Sequence, residues 1–146
     1  MNRLEEALDD FQWEVYDEIA ANIAKIDPTN IDEELQRQAL TYSKYYGLMA
    51  LCKDKLRDAE LDLEVFVART RHDEYTRKTE SGEKITEKIM EAFVFSRPDY
   101  KNFVKQVSNR KSQHEMLKGL VGSLSQRKDA LIQISSNARA EKNMYS

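Results

Sequence analysis

From Asn30 to Glu80 the chain contains no proline, and through most of that stretch apolar residues recur at every seventh place: Leu35, Tyr42, Met49, Leu56 and Leu63. Gln38, Tyr45, Cys52, Ala59 and Phe66 fill the companion positions. Five heptads of this kind specify a coiled-coil-like helix over 31–80. At about 1.5 Å per residue such a helix is about 70 Å long, too long for one compact domain of ordinary size. Part of its seam is therefore expected to be covered by another subunit. Leu35, Tyr42, Met49, Leu56 and Leu63, together with Trp13 of the first helix, are the expected oligomer interface.

The flanking segments follow the same helical logic. Leu4, Leu8, Phe11, Val15, Ile19, Ile23 and Ile26 recur at spacings of three and four, which predicts an acidic N-terminal helix over 4–26. Asp27-Pro28 ends it, and Asn30 with Glu33 three places on resembles a capping box for the long helix. Trp13 lies opposite the main stripe of the first helix. It reads either as a lone exposed aromatic or as a second contact face for a helix or a subunit. Beyond Ser81-Gly82 a short helix is expected over 83–95. A long C-terminal helix follows over 97–137, with Ser96 and Asp99 in capping-box spacing and Pro98 in its first turn. Gly119 and Gly122 inside that helix suggest a close helix approach or a bend. With only four glycines and two prolines in 146 residues, the turn-rich β-sandwiches and barrels are excluded. The expectation is one all-α domain over 1–146. It would be elongated, with two long helices in coiled-coil-like packing, assembled into a homo-oligomer.

The longest apolar runs, such as Leu48–Cys52 and Val65–Ala68, fall far short of the roughly 20 residues that a membrane span needs. The acidic start is unlike a signal peptide, and Cys52 is the single cysteine, so the expected location is cytoplasmic. No Cys-x-x-Cys, His-Glu-x-x-His, phosphate-binding loop or nucleophile elbow occurs. Catalytic residues, metal ligands and cofactors are therefore expected to be none, and the chain reads as a non-enzyme. Cys52 at a heptad position reads as buried and inert. Acid pairs such as Asp9-Asp10 and Glu33-Glu34 read as solvated helix faces.

Charge is graded along the chain. Residues 1–34 hold 11 acids and 2 bases, whereas residues 96–146 hold 4 acids and 10 bases. Three stretches are candidates for a polyanion. Tyr42-Ser43-Lys44-Tyr45-Tyr46 interleaves a base with aromatics, although Tyr42 and Tyr45 sit in the seam and read as core. In the second, Arg69, Arg71, His72, Tyr75, Arg77 and Lys78 occupy a segment whose apolar pattern vanishes. That segment is either a solvated helix end or a single-strand-binding surface of bases and stacking platforms. The third comprises Lys101, Lys105, Arg110, Lys111, Arg127 and Lys128, which either track phosphates or complement the acidic first helix.

Three short motifs resemble the recombination mediator proteins of tailed phages, the UvsY-like family. The start Arg3-Leu4-Glu5-Glu6 is similar to that family's opening. Leu40-Thr41-Tyr42-Ser43-Lys44-Tyr45 resembles its Tyr-Ser-Lys-aromatic segment on the long helix. Val67-Ala68-Arg69 falls where the family has a Lys-Ala-Arg motif tied to DNA contact, again followed by tyrosine and a glycine-containing loop. Val67 replaces the family lysine, so Arg69 alone carries over from that motif. The resemblance implies a small helical protein of the host-cell cytoplasm that forms a homo-oligomeric ring. It implies binding to single-stranded DNA, displacement of single-strand-binding protein and loading of a RecA-like recombinase, with no catalytic site or cofactor. The DNA contact is expected at Arg69, Arg71, His72, Tyr75, Arg77 and Lys78, with Lys44. The alternative is a structural or scaffolding coiled-coil protein with protein partners only.

Overall fold

Asn2 opens the first helix: its side-chain oxygen accepts from the Glu5 N–H at 2.9 Å, and Glu5 and Glu6 favour the positive end of the helix dipole. The computed structural model describes residues 2–145. It contains helices α1 (Arg3–Asp9), α2 (Tyr16–Ala24), α3 (Ile31–Ser81), α4 (Glu87–Phe95) and α5 (Pro98–Met144), with a 3₁₀ turn at Trp13–Val15. Among the described residues there is no strand, and the long α3 and α5 pack together. Among the described residues no helix is long and apolar enough to cross a membrane. The chain divides into two compact units, one of residues 1–52 with 113–146 and one of residues 53–112. Each unit has its own packing.

In the first unit the N-terminal helix expected over 4–26 is broken. Asp9 and Asp10 stand at the C-terminal end of α1, where acids oppose the dipole and no base offsets them. The break lets Phe11 and Trp13 meet with ring centroids 4.4 Å apart. Both rings pack against the core of Leu8, Leu48, Cys52 and Leu117. Trp13 is thus a helix-packing residue of its own chain, turned inward by the break.

The companion line of the α3 heptads is the buried one here, since Gln38 and Cys52 are 4% and 0% exposed. Leu35, Tyr42 and Met49 are half-buried within the chain. On α5, Leu117, Leu120, Leu124 and Leu131 complete the core. Gly119 reflects a close approach: a Cβ there would lie 3.3 Å from the Tyr16 hydroxyl, which donates to the Met116 carbonyl at 2.7 Å.

Glu34 departs from the solvated face expected of it. Its side chain is 10% exposed and that of Arg127 9%, and the two form a short ion pair. Arg127 also donates to the Lys25 carbonyl at 3.1 and 3.2 Å and to the Gln38 amide oxygen at 2.7 Å. Gln38 in turn donates to the Leu124 carbonyl at 2.7 Å. Asn30 does not complete a side-chain cap. Its amide donates to Asp27 at 3.0 Å, and the same carboxylate accepts from the Thr29 N–H and hydroxyl. These bonds, the Thr29 hydroxyl first, hold Asp27 below the usual carboxylate range.

In the second unit Phe66 of α3 and Phe103 of α5 meet at 4.9 Å. Ala59, Met90 and Val94 are buried, and Leu56 and Leu63 are half-buried. The end of α3 is a Schellman turn: the Glu83 N–H donates to the Lys78 carbonyl at 3.0 Å and the Gly82 N–H to the Thr79 carbonyl at 3.4 Å. Gly82 takes φ = 71°, the left-handed conformation that suits a residue without Cβ. Residues 83–86 are spent on this reversal, so α4 begins at Glu87 with Thr86 accepting from the Ile89 N–H. Ser96 donates back to the Phe93 carbonyl at 2.8 Å instead of capping α5. At its far end α5 runs on to Met144, past the 137 expected. No glycine or proline interrupts 123–144, and Ala138, Arg139, Ala140, Glu141 and Lys142 are good or tolerant helix formers.

Candidate nucleic-acid interface

The last three turns of α3 carry few apolar side chains but are not simply a helix end in water. Glu74 and Lys78 are 4% and 9% exposed, occupying inward positions where the apolar pattern has stopped. Arg77 grips Glu74 with two donors, Nη2 to Oε1 at 2.7 Å and Nε to Oε2 at 3.1 Å. Lys78 donates to Glu83 at 3.0 Å and lies 3.8 Å from Glu74, while Arg77 lies 3.6 Å from Glu83. The Gly82 turn returns Glu83 to this position. The hydrogen bond from Arg77 holds Glu74 below the usual carboxylate range, and the one from Lys78 does the same for Glu83. The bond to Glu74 raises Arg77 correspondingly. Two bases and two acids thus form a neutral clamp.

The remaining expected residues of this segment are Arg69, Arg71, His72 and Tyr75. Arg71 places one guanidinium nitrogen 2.6 and 2.8 Å from the two carboxylate oxygens of Glu87. Between α3 and α4 opens a cleft of about 490 Å³ lined by Arg71, His72, Tyr75, Ile85, Thr86, Glu87 and Met90. His72 is exposed, and Tyr75 is 55% exposed. Neither ring has a stacking partner among the described residues. Arg69 is exposed and forms no ion pair within 4 Å among the described residues.

The structure therefore gathers Arg71, His72 and Tyr75 at one cleft. It turns Arg77 and Lys78 into the clamp and leaves Arg69 on open helix. Lys44 belongs to the other unit, with its ammonium 5.3 Å from the Tyr45 ring centroid. Burial raises the Tyr45 phenol above its ordinary value. Tyr42 stacks on Tyr46 at 5.9 Å. Lys84 and Lys88 went unmarked in the sequence. They are exposed on the segment that forms the second wall of the cleft, and only the turn at Gly82 brings that wall beside α3.

No protein-family model, curated protein or solved structure matches this chain. The exposed aromatics of the cleft and its apolar floor at Met90 can accept a flat ring, while the one base in its lining, Arg71, is paired with Glu87. Among the described residues, no three His, Cys, Asp or Glu side chains are grouped to hold a metal ion.

Proposed function

We propose that this chain is a recombination mediator of the tailed-phage type. It binds single-stranded DNA and helps load a RecA-like recombinase onto DNA covered by single-strand-binding protein. It works in the cytoplasm as a homo-oligomeric ring, without catalysis or cofactor. The observation that carries this reading is the cleft at the end of α3, where Tyr75 and His72 stand exposed beside Arg71. Large aromatic rings left in water at a helix end do nothing for the core. A splayed base stacked on such a ring is worth about 1–3 kcal/mol whatever its identity. Motif resemblance at Val67-Ala68-Arg69 adds the DNA expectation for the same helix end. The half-buried line Leu35, Tyr42, Met49, Leu56 and Leu63 retains apolar area for a neighbouring copy.

A second reading has an observation of its own. Arg71, Arg77 and Lys78 already face carboxylates in the free protein, which suits a scaffold with protein partners only. Labelled oligo-dT separates the two. The mediator binds it at low salt and loses affinity steeply as salt rises, because phosphate contacts release counterions. Replacing His72 and Tyr75 by Ala lowers that affinity about 10-fold or more. Absence of binding at 50 mM salt refutes the mediator reading and leaves the scaffold.

A further inference from the structure

We propose that the outer face of the first four turns of α5 is a second nucleic-acid contact, one that holds the phosphodiester backbone of a single strand and ignores its bases. This rests on the single-stranded DNA reading above and assigns it a site away from the cleft.

Between Asp99 and Glu115 the chain has no acid. Four bases lie in this interval: Lys101, Lys105, Arg110 and Lys111. The contact of Phe103 with Phe66 fixes which side of α5 faces inward. At 3.6 residues per turn, Lys101 and Lys105 lie about 160° around the helix from Phe103. Ser108 and Ser112 continue the same row at spacings of three and four, forming a straight stripe about 16 Å long. Asn102 and Asn109 border it on one side and Lys111 on the other. All of these side chains are exposed.

Lys101, Lys105 and Lys111 have no carboxylate partner among the described residues. In this they differ from Arg71, Arg77 and Lys78, whose charges are consumed within the chain. Uncompensated like charges along one face repel one another, and a polyanion laid along them relieves that repulsion. Ammonium, hydroxyl and amide donors alternate along the stripe, which suits the closely spaced oxygens of a phosphate chain. Nothing on the stripe suits a base. The nearby aromatics are turned away, Phe103 onto Phe66 and Tyr100 onto Phe95 at 5.0 Å. The cleft and the stripe thus divide the labour, the first taking rings and the second taking charge.

The test is the triple substitution Lys101→Gln, Lys105→Gln and Lys111→Gln. Binding is followed by fluorescence anisotropy, with labelled oligo-dT and an abasic oligonucleotide of equal length, between 50 and 200 mM salt. Wild type binds both ligands. In the variant the slope of log K against log salt becomes shallower by about 2, since a single strand contributes about 0.7 per phosphate contact. Affinity at about 0.1 M salt falls roughly 100-fold for both ligands. The His72→Ala, Tyr75→Ala variant behaves oppositely, losing affinity for oligo-dT while keeping the slope and the abasic ligand.

If wild type binds oligo-dT but the triple variant keeps full affinity and slope, the stripe is overturned and the mediator reading stands. If wild type binds neither ligand, both fall. A changed oligomeric mass with unchanged DNA affinity also overturns the proposal, because the stripe then seats the acidic helices of a second copy. Should the triple variant lose helicity by circular dichroism, Lys105→Gln alone decides the matter through a slope change of about 0.7.

Discussion

Replacing Arg127 by Ala is expected to be among the most damaging single changes in the chain. The guanidinium reaches the end of α2 through the Lys25 carbonyl and reaches α3 through Gln38 and Glu34. Lys25 is the residue that ends α2, so its carbonyl lies at the negative end of a helix dipole and favours a cation. Removing the side chain deletes these hydrogen bonds. It also leaves the Glu34 carboxylate, on a residue 8% exposed, without its ion-pair partner. Breaking one partner of a buried pair costs about 3–5 kcal/mol, most of it the penalty on the charge left behind. For a domain whose whole stability is about 5–15 kcal/mol, that is a large fraction.

Urea unfolding followed by circular dichroism measures the loss, with thermal melting as a check. The Arg127→Met, Glu34→Leu double variant removes both charges and fills the space with apolar atoms. It is expected to recover most of the lost stability, and a double-mutant cycle then gives a coupling of more than about 1 kcal/mol. Arg127→Lys retains the charge but lacks the planar fork, so it falls between Ala and wild type. A loss below about 1 kcal/mol for Arg127→Ala would refute the reasoning, because that is the scale of a solvated surface pair.

The two glycines of α5 are expected to respond in opposite directions. Gly122→Ala meets nothing within 4 Å and should gain up to about 1 kcal/mol in urea unfolding from helix propensity. Gly119→Ala presses the hydroxyl of Tyr16 and should gain less or lose. An equal gain at both positions contradicts the close approach of Tyr16 to Gly119. The clamp at the end of α3 predicts a pH dependence. Glu74 is held below its ordinary pKa of 4.5, so its contribution is full above that value and is lost as pH falls through the lowered one. Melting curves from pH 7 to pH 3 should show wild type losing more stability than Glu74→Gln, whose side chain does not titrate. Parallel losses in the two proteins refute the clamp.

The two long helices were legible because their apolar spacing persists unbroken for many turns, longer than any competing local signal. The break between Asp10 and Trp13 was not. The stripe from Leu4 to Ile26 continues straight through it, and the contacts that reward the break, to Leu48 and Leu117, are remote in sequence. Glu34 looked solvated for a related reason, since its partner lies 93 residues away. At the candidate interface, Glu74 stands three residues before Arg77 and four before Lys78, so half of the clamp was readable from helix spacing alone. The other half was hidden. Glu83 and Glu87 meet Lys78 and Arg71 only because Gly82 reverses the chain.

The polar knot of Glu34, Gln38 and Arg127 also settles a question that apolar seams leave open. Leucines facing leucines fit nearly as well after a helix slides by one turn or one heptad, so α5 has several registers of similar greasy contact along α3. Sliding by three residues brings Leu124 or Ala130 to the place of Arg127; sliding by four brings Ser123 or Leu131, and by seven Leu120 or Ile134. None of the six is a cation. Every slipped register therefore strands a buried carboxylate at about 3–5 kcal/mol, and the knot acts as a key that only one alignment of the two helices can turn.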